Sequence, residues 1–286
     1  MKRNWNHLFQ IVLIYILIAV SGYLSYSYSS SGSEIVDFLI ADVVMTVVCF
    51  ICSLIKKNSS VYDPFWSVIP FYFVLLWIYL HYDVLSIYHW LIFIVISLWS
   101  WRLTMNWIRS WHDFNHEDWR YVKLAEDNGA LYPLVNFFGI HLLPTFWVFG
   151  GMWPLFYIFD GTSPNMIILL CGLIISLVGT ALEFFADNTL AKFRKRPNKK
   201  TGDLLDEGLW GRCRHPNYLG EMLFWIGLFV CGYAFEAPLY TGLGCLSIVV
   251  LFIFISIPMK EKRMAERRPG YEDYKNRVPL LVPGLR

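Results

Sequence analysis

Apolar residues gather in long stretches along this chain, and most charges fall in the short segments between them. A helix that crosses a bilayer needs roughly 20 mostly apolar residues. About eight stretches qualify: 7–26, 36–54, 64–80, 85–107, 131–159, 164–185, 217–233 and 238–258. The spacing predicts an all-α, polytopic bundle of transmembrane helices, with no strand pattern. The last two stretches are parted where Gly232, Glu236 and Pro238 cluster. The fifth is overlong and holds Pro133, Pro144, Gly150, Gly151 and Pro154, so a kinked or broken helix is expected there. At membrane depth a broken helix is tolerated only where protein or a cavity covers it.

Composition agrees: 56% of the residues are hydrophobic and 16% charged, against roughly a quarter charged in a soluble domain. The placement of charge carries more than its net value of +2. With the N-terminus inside, Lys2, Arg3, Lys56, Lys57, Arg102, Arg109, Arg120 and Lys123 fall on inside segments. The 192–214 loop and the 260–286 tail hold the rest of the 24 basic residues. The outside loops carry only Glu34, Asp37, Asp83, Asp160 and Glu236. This is the positive-inside pattern, and it puts both termini in the cytosol of a bacterial inner membrane or endoplasmic reticulum protein. The first stretch also reads as a signal peptide, whose cleavage near Ser21 would leave seven spans; its length favours an uncleaved helix. The sequon Asn58–Ser59–Ser60 falls inside, so it is expected to stay unmodified.

The six cysteines form no framework, and Cys49 and Cys52 lie inside an apolar span. No HExxH, P-loop, GxGxxG or serine elbow is present, and no Cys/His cluster has zinc spacing, so no metal is expected. The basic residues fit topology and a phosphate-bearing cofactor, not nucleic acid. Asp42 lies within a span, where an acid is functional by default unless it is bonded to a neighbouring helix.

The segment 184–221, FFADNTLAKFRKRPNKKTGDLLDEGLWGRCRHPNYLGE, is the most informative. Asp187 and Arg194 are seven residues apart, on one face of a helix leaving the membrane. Pro216 suits a first helical turn, with Arg214 and His215 before it and Asn217 and Glu221 after it. A helix N-terminus beside basic groups attracts anions, and Trp210 offers an aromatic plane. A positive-inside loop with a helix start accounts for the same residues equally well.

The stretches FFADNTLAKFR and GLWGRCRHPNYLGE, together with EDWRY at 117–121 and the tail KEKRMAERRPGYEDYKNRVPLLVPG, resemble the C-terminal domain of the steroid 5α-reductase family. Within it the chain looks like the bacterial-type branch of membrane proteins. The resemblance runs from about Tyr62 and is strongest after Glu183. It implies a transmembrane hairpin over 1–61 and a catalytic domain over 62–286, with a cytosolic NADPH site in 186–221 and 259–286. The positions matching cofactor residues are Arg102, Asp187, Arg194, Trp210, Asn217 and Tyr218, with Arg263 and Tyr274 matching more loosely. Arg214, His215 and Glu221 belong to the same helix start.

In such reductases a carboxylate and a tyrosine polarise the substrate's enone carbonyl. Asp63 falls at the carboxylate position, and Trp99 stands where the tyrosine would be. Asp63, Tyr62 and Tyr121 are therefore the candidates to hold the carbonyl. Pro64 makes an N-cap the first expectation for Asp63, with catalysis alongside. The resemblance implies reduction of a carbon–carbon double bond in a lipid-soluble substrate held among membrane lipids. The RHPNY-x-GE run also occurs in isoprenylcysteine carboxyl methyltransferases, so a methyltransferase using S-adenosylmethionine is the second class. A non-catalytic lipid-binding protein is the third.

Overall fold

The computed structural model describes residues 4–159, 163–200 and 202–283. Lys2, Arg3, Asp160 and Arg286, which the charge argument used, lie outside them. Most of the described residues are helical, with no strand among them. The chain divides into two compact units, residues 1–159 and 160–286.

The first unit begins with α1 (Trp5–Tyr28) and α2 (Glu34–Lys56). Asn4 caps α1 by accepting from the backbone N–H groups of Asn6 and His7. A 3₁₀ turn, Ser59–Val61, leads into α3 (Phe65–Leu80), and α4 (Ile87–Ser110) returns. Then come α5 (Trp119–Asn128), the short α6 (Tyr132–Val135), a π-helical stretch over Asn136–Leu142, and α7 (Leu143–Met152), which ends in a 3₁₀ turn. The overlong fifth stretch is thus interrupted, as its prolines and glycines predict.

One end of this unit is stitched by polar contacts. Asn4 N donates to His112 O at 3.0 Å, and Lys56 Nζ to Gln10 Oε1 at 2.6 Å. Asn58 Nδ2 donates to Phe114 O and His116 O at 2.8 and 3.0 Å. The starts of α1, α3 and α5 and the ends of α2 and α4 therefore share that end, as alternate crossing requires.

The second unit holds α8 (Met166–Arg194), α9 (Pro216–Ala234), α10 (Gly242–Leu251), a π-helical stretch over Phe252–Ser256, α11 (Ile257–Arg267) and α12 (Tyr271–Arg277). The helices α8 and α9 form an antiparallel hairpin in which glycine faces glycine. A Cβ on Gly179 would sit 2.5 Å from Gly220 O, and one on Gly172 2.8 Å from Gly227 O. Small residues of this kind let helix backbones approach closely in lipid.

Seven helices among the described residues are long and apolar enough to cross a membrane. The remaining predicted stretch, 217–233, is the helix α9, whose apolarity Asn217, Glu221 and its glycines dilute.

Candidate functional site

The first group of site residues surrounds Asp63. The 3₁₀ turn carries the chain into α3 with helical backbone angles already in place at Tyr62 and Pro64, and Asp63 N donates to Ser60 O at 3.2 Å. The residue at the N-cap position is Pro64, and no side chain caps α3. The capping role expected for Asp63 is therefore corrected. Its Oδ1 instead accepts from Tyr121 Oη at 2.7 Å.

The first turn of α5 holds Tyr121 in place. Asp118 caps that helix and takes two bonds from the Arg120 guanidinium, at 2.8 and 3.2 Å. Asp118 N donates to Ser60 Oγ at 2.9 Å, tying the helix to the turn before Asp63. Tyr62, although next to Asp63 in the chain, turns its hydroxyl to Thr145 Oγ1 at 2.9 Å. Of the three residues proposed to hold a carbonyl, the structure pairs Asp63 with Tyr121 and sends Tyr62 elsewhere. Beside Pro64 lies an apolar groove of about 300 Å³, walled by Ile11, Tyr15, Val68 and Trp107 among others. Arg102 and Trp99 are both buried in this unit, on α4.

The second group lies in the other unit. Asp187 and Arg194 sit two turns apart on α8, the aspartate buried and the arginine exposed at the helix end. A cavity of about 100 Å³ opens beside that end, and Arg194, Trp210, Lys260, Arg268 and Tyr271 contribute to its wall. Trp210 is fixed from two directions: its indole N–H donates to Ala186 O at 3.0 Å, and Tyr274 Oη donates to Trp210 O at 2.7 Å. Lys260 Nζ sits over the Tyr218 ring at 4.6 Å and over the Trp210 ring at 5.7 Å. The Arg268 guanidinium is held below its ordinary pKa by burial and by the neighbouring charge of Arg194. Arg194, Lys260 and Arg268 all bring positive charge to the wall of one cavity, which favours an anion there.

Arg214 and His215 also line this cavity, yet Arg214 directs its donors to the C-terminal tail. Its Nε bonds Glu261 Oε1 at 2.8 Å, and its terminal nitrogen reaches Lys275 O and Val278 O at 2.9 and 2.8 Å. His215 stacks on Tyr218 with centroids 5.5 Å apart, and its Nε2 lies 3.1 Å from Glu261 Oε1. Burial holds the His215 pKa below its ordinary value, against an opposing pull from Glu261. Facing a carboxylate, Nε2 carries the proton, which leaves Nδ1 as an acceptor. Nδ1 and Asn217 Oδ1 are both buried without a hydrogen-bond partner among the described residues.

Glu221 accepts from the Trp225 indole at 3.1 Å, deep in α9. Arg263 is half-buried on α11. Neither these two nor Asp187, Asn217 and Tyr218 belong to the cavity wall. Burial pushes the Cys213 thiol up to about 11, which leaves it an inert neighbour.

Lys260, Glu261, Arg268 and Tyr271 are the residues that sequence reading missed. The tail motif held them; of the two tail positions that the resemblance matched, Tyr274 lines the cavity and Arg263 does not. A pocket that encloses a whole ligand usually measures roughly 300–1,000 Å³, so a cavity of about 100 Å³ has room for only part of one. Its cations suit a phosphate, and His215, whose Nδ1 is an open acceptor, is among the lining residues, whereas Asn217 lies outside the wall.

The family described as "Protein of unknown function (DUF1295)" matches residues 49–278. An uncharacterized protein of Schizosaccharomyces pombe is 26% identical over 293 residues, an alignment spanning 90% of this chain and 82% of that one. No solved structure matches.

Proposed function

We propose that this chain, which belongs to the DUF1295 family, is an integral-membrane, NADPH-dependent reductase of a carbon–carbon double bond in a lipid-soluble substrate. The family is associated with steroid 5α-reductase-like membrane proteins. The observation that carries the reading is the cation pair Arg194 and Arg268, with Lys260, at a cavity walled by Trp210 and Tyr271. These cations would hold phosphates, and the α9 acceptors would take ribose or amide protons. NADPH would supply the hydride.

The rest of the chemistry falls to the chain. The groove beside Pro64 is apolar enough for the body of a steroid-, sterol- or fatty-acyl-like molecule. Tyr121 has one hydroxyl hydrogen and donates it to Asp63, so it orients the carboxyl group. Asp63, protonated on its other oxygen, would donate to the substrate's carbonyl oxygen and stabilise the charge that develops there. On this reading the basic side of the protein faces the cytosol.

Thermal unfolding of the detergent-purified protein with NADPH, NADH and S-adenosylmethionine tests the proposal. Stabilisation by NADPH, weaker with NADH and absent with S-adenosylmethionine, is the expected result. Stabilisation by S-adenosylmethionine alone would make the protein a methyltransferase. No shift with any of the three would leave the lipid-binding class.

A further inference from the structure

The groove beside Pro64 owes its shape to α1. Six residues between Leu8 and Ala19 wall it from that helix, facing Pro64 and Val68 of α3 and Thr104 and Trp107 of α4. They follow the i, i+3, i+4, i+7 spacing of a single helix stripe.

Two tyrosines tie this stripe to α3. Side chains on a helix lean toward its N-terminus, and the Tyr15 phenol reaches back to donate to Val61 O at 2.9 Å, two residues before Asp63. The Tyr72 phenol, on α3, donates to Ala19 O at 2.9 Å. Tyr72 stands one turn beyond Val68, and Ala19 is the last wall residue of α1, so the second tie marks where the groove ends. The opposite end lies at Pro64, next to Asp63 and its partner Tyr121.

Between these ends the space is long and narrow. From Leu8 to Ala19 the wall rises about 16 Å, and a volume of about 300 Å³ over that length leaves a mean section of roughly 20 Å². A single extended hydrocarbon chain has such a section, whereas the plate of a fused ring system is markedly broader. The wall also carries no charged side chain. Its two hydroxyl groups are engaged within the protein, Tyr15 with Val61 O and Thr104 Oγ1 with Ser67 Oγ at 2.8 Å. At the far end stand Ile16 and Ala19, where a polar group on a ligand would lose its water and gain no partner.

We infer that the groove takes one unbranched hydrocarbon chain, with an α,β-unsaturated carbonyl at its Asp63 end, and that Ala19, fixed by Tyr72, is the stop that limits chain length. The inference rests on the groove's role in the proposed reduction, and it selects straight-chain lipids over steroids and sterols.

Isothermal titration of the full-length protein in detergent, with and without NADPH, tests it. The probes are straight-chain α,β-unsaturated ketones of increasing length and a steroid enone, each affinity corrected for the probe's partition into empty micelles. Wild type should bind chains more tightly with length up to a limit, and the steroid enone more weakly than the best chain. Ala19→Leu should bind the longest chains about tenfold more weakly, as overpacking of a filled site does, and short chains as wild type does. A steroid enone that binds as tightly as the best chain overturns the assignment, as does the absence of chain binding in both conditions. An unchanged length limit in Ala19→Leu overturns the stop. Should that variant not fold, Tyr72→Phe decides: it unties the closed end and keeps the ring, so chains beyond the wild-type limit should gain affinity, and no gain overturns the stop. Chain binding that persists while NADPH fails to bind counts against the reductase reading alone.

Discussion

Tyr121 Oη donates to Asp63 Oδ1 across 2.7 Å, joining the first turn of α5 to the residue before Pro64. The same phenol lies beneath the Arg120 guanidinium, 5.6 Å from the ring centre, and Arg120 is itself forked onto Asp118. The carboxyl group is thus positioned by a residue 58 positions away, where local sequence offers only a helix cap.

Tyr121→Phe should lower turnover with NADPH affinity unchanged, because it frees Asp63 to rotate and leaves the cofactor cavity untouched. Loss of a donor to a developing oxyanion costs about 10²–10³ in rate, so Asp63→Leu should fall at least that far. Asp63→Asn should keep part of the activity with a flatter pH profile, since an amide donates without a proton to lose. Because Asp63 caps no helix, Asp63→Ser should be as inactive as Asp63→Leu. Near-wild-type activity in Asp63→Ser would remove this residue from the chemistry.

Arg194→Ala and Arg268→Ala should each weaken NADPH binding by about 1.5–3 kcal/mol, the worth of a hydrogen bond to a charged group. Asn217→Ala should cost less, roughly 0.5–1.5 kcal/mol. Lys199→Ala and Lys200→Ala, in the loop beyond the cavity wall, should bind as wild type does. Isothermal titration of detergent-purified variants measures all five.

The stability of the second unit should fall in mild acid. Burial sets the pKa of folded His215 below its ordinary value of about 6.5. Folding therefore excludes a proton that the unfolded chain takes up. Stability is full above the ordinary value and is lost as pH falls from there toward the folded value. His215→Gln should flatten that part of the profile of melting temperature against pH. An unchanged slope would place the acid sensitivity elsewhere.

Gly179→Ala should destabilise by about 1–3 kcal/mol, the usual cost of overpacking, because its methyl group would meet Gly220 O and Phe224 N, which are backbone atoms and cannot turn aside. Ala at Gly32, where no atom lies within 4 Å, meets no such obstacle, and only its left-handed φ of +80° opposes the change. Detergent melting temperatures of the two variants separate backbone crowding from backbone strain.

The helices were legible in the sequence because each is a run of apolar residues long enough to span, and that signal needs no partner. The broken fifth run was legible for the same reason, since proline and glycine act where they stand. The Asp63–Tyr121 bond was not, because a contact between distant segments leaves no local pattern. Arg214 shows the opposite limit: a basic residue before a helix reads as an anion ligand, and only the folded tail reveals that Glu261 and two carbonyls engage it. Asn58 is similar. Its side-chain amide is buried and donates to two carbonyls, so an unmodified sequon reports the fold as much as the side of the membrane.

The glycine seam of α8 and α9 bears on how the protein enters the membrane. With Asn217 and Glu221 in its first turns, α9 is a poor match for lipid by itself. Pressed backbone to backbone against α8, it exposes less of its surface to hydrocarbon than a lone helix would. α8 has the apolarity to partition unaided. Insertion should then be sequential, with α8 settling first and serving as the docking face on which its companion is retained. A chain cut after Arg194 would integrate stably, whereas α9 presented without its predecessor would slip back into the aqueous phase.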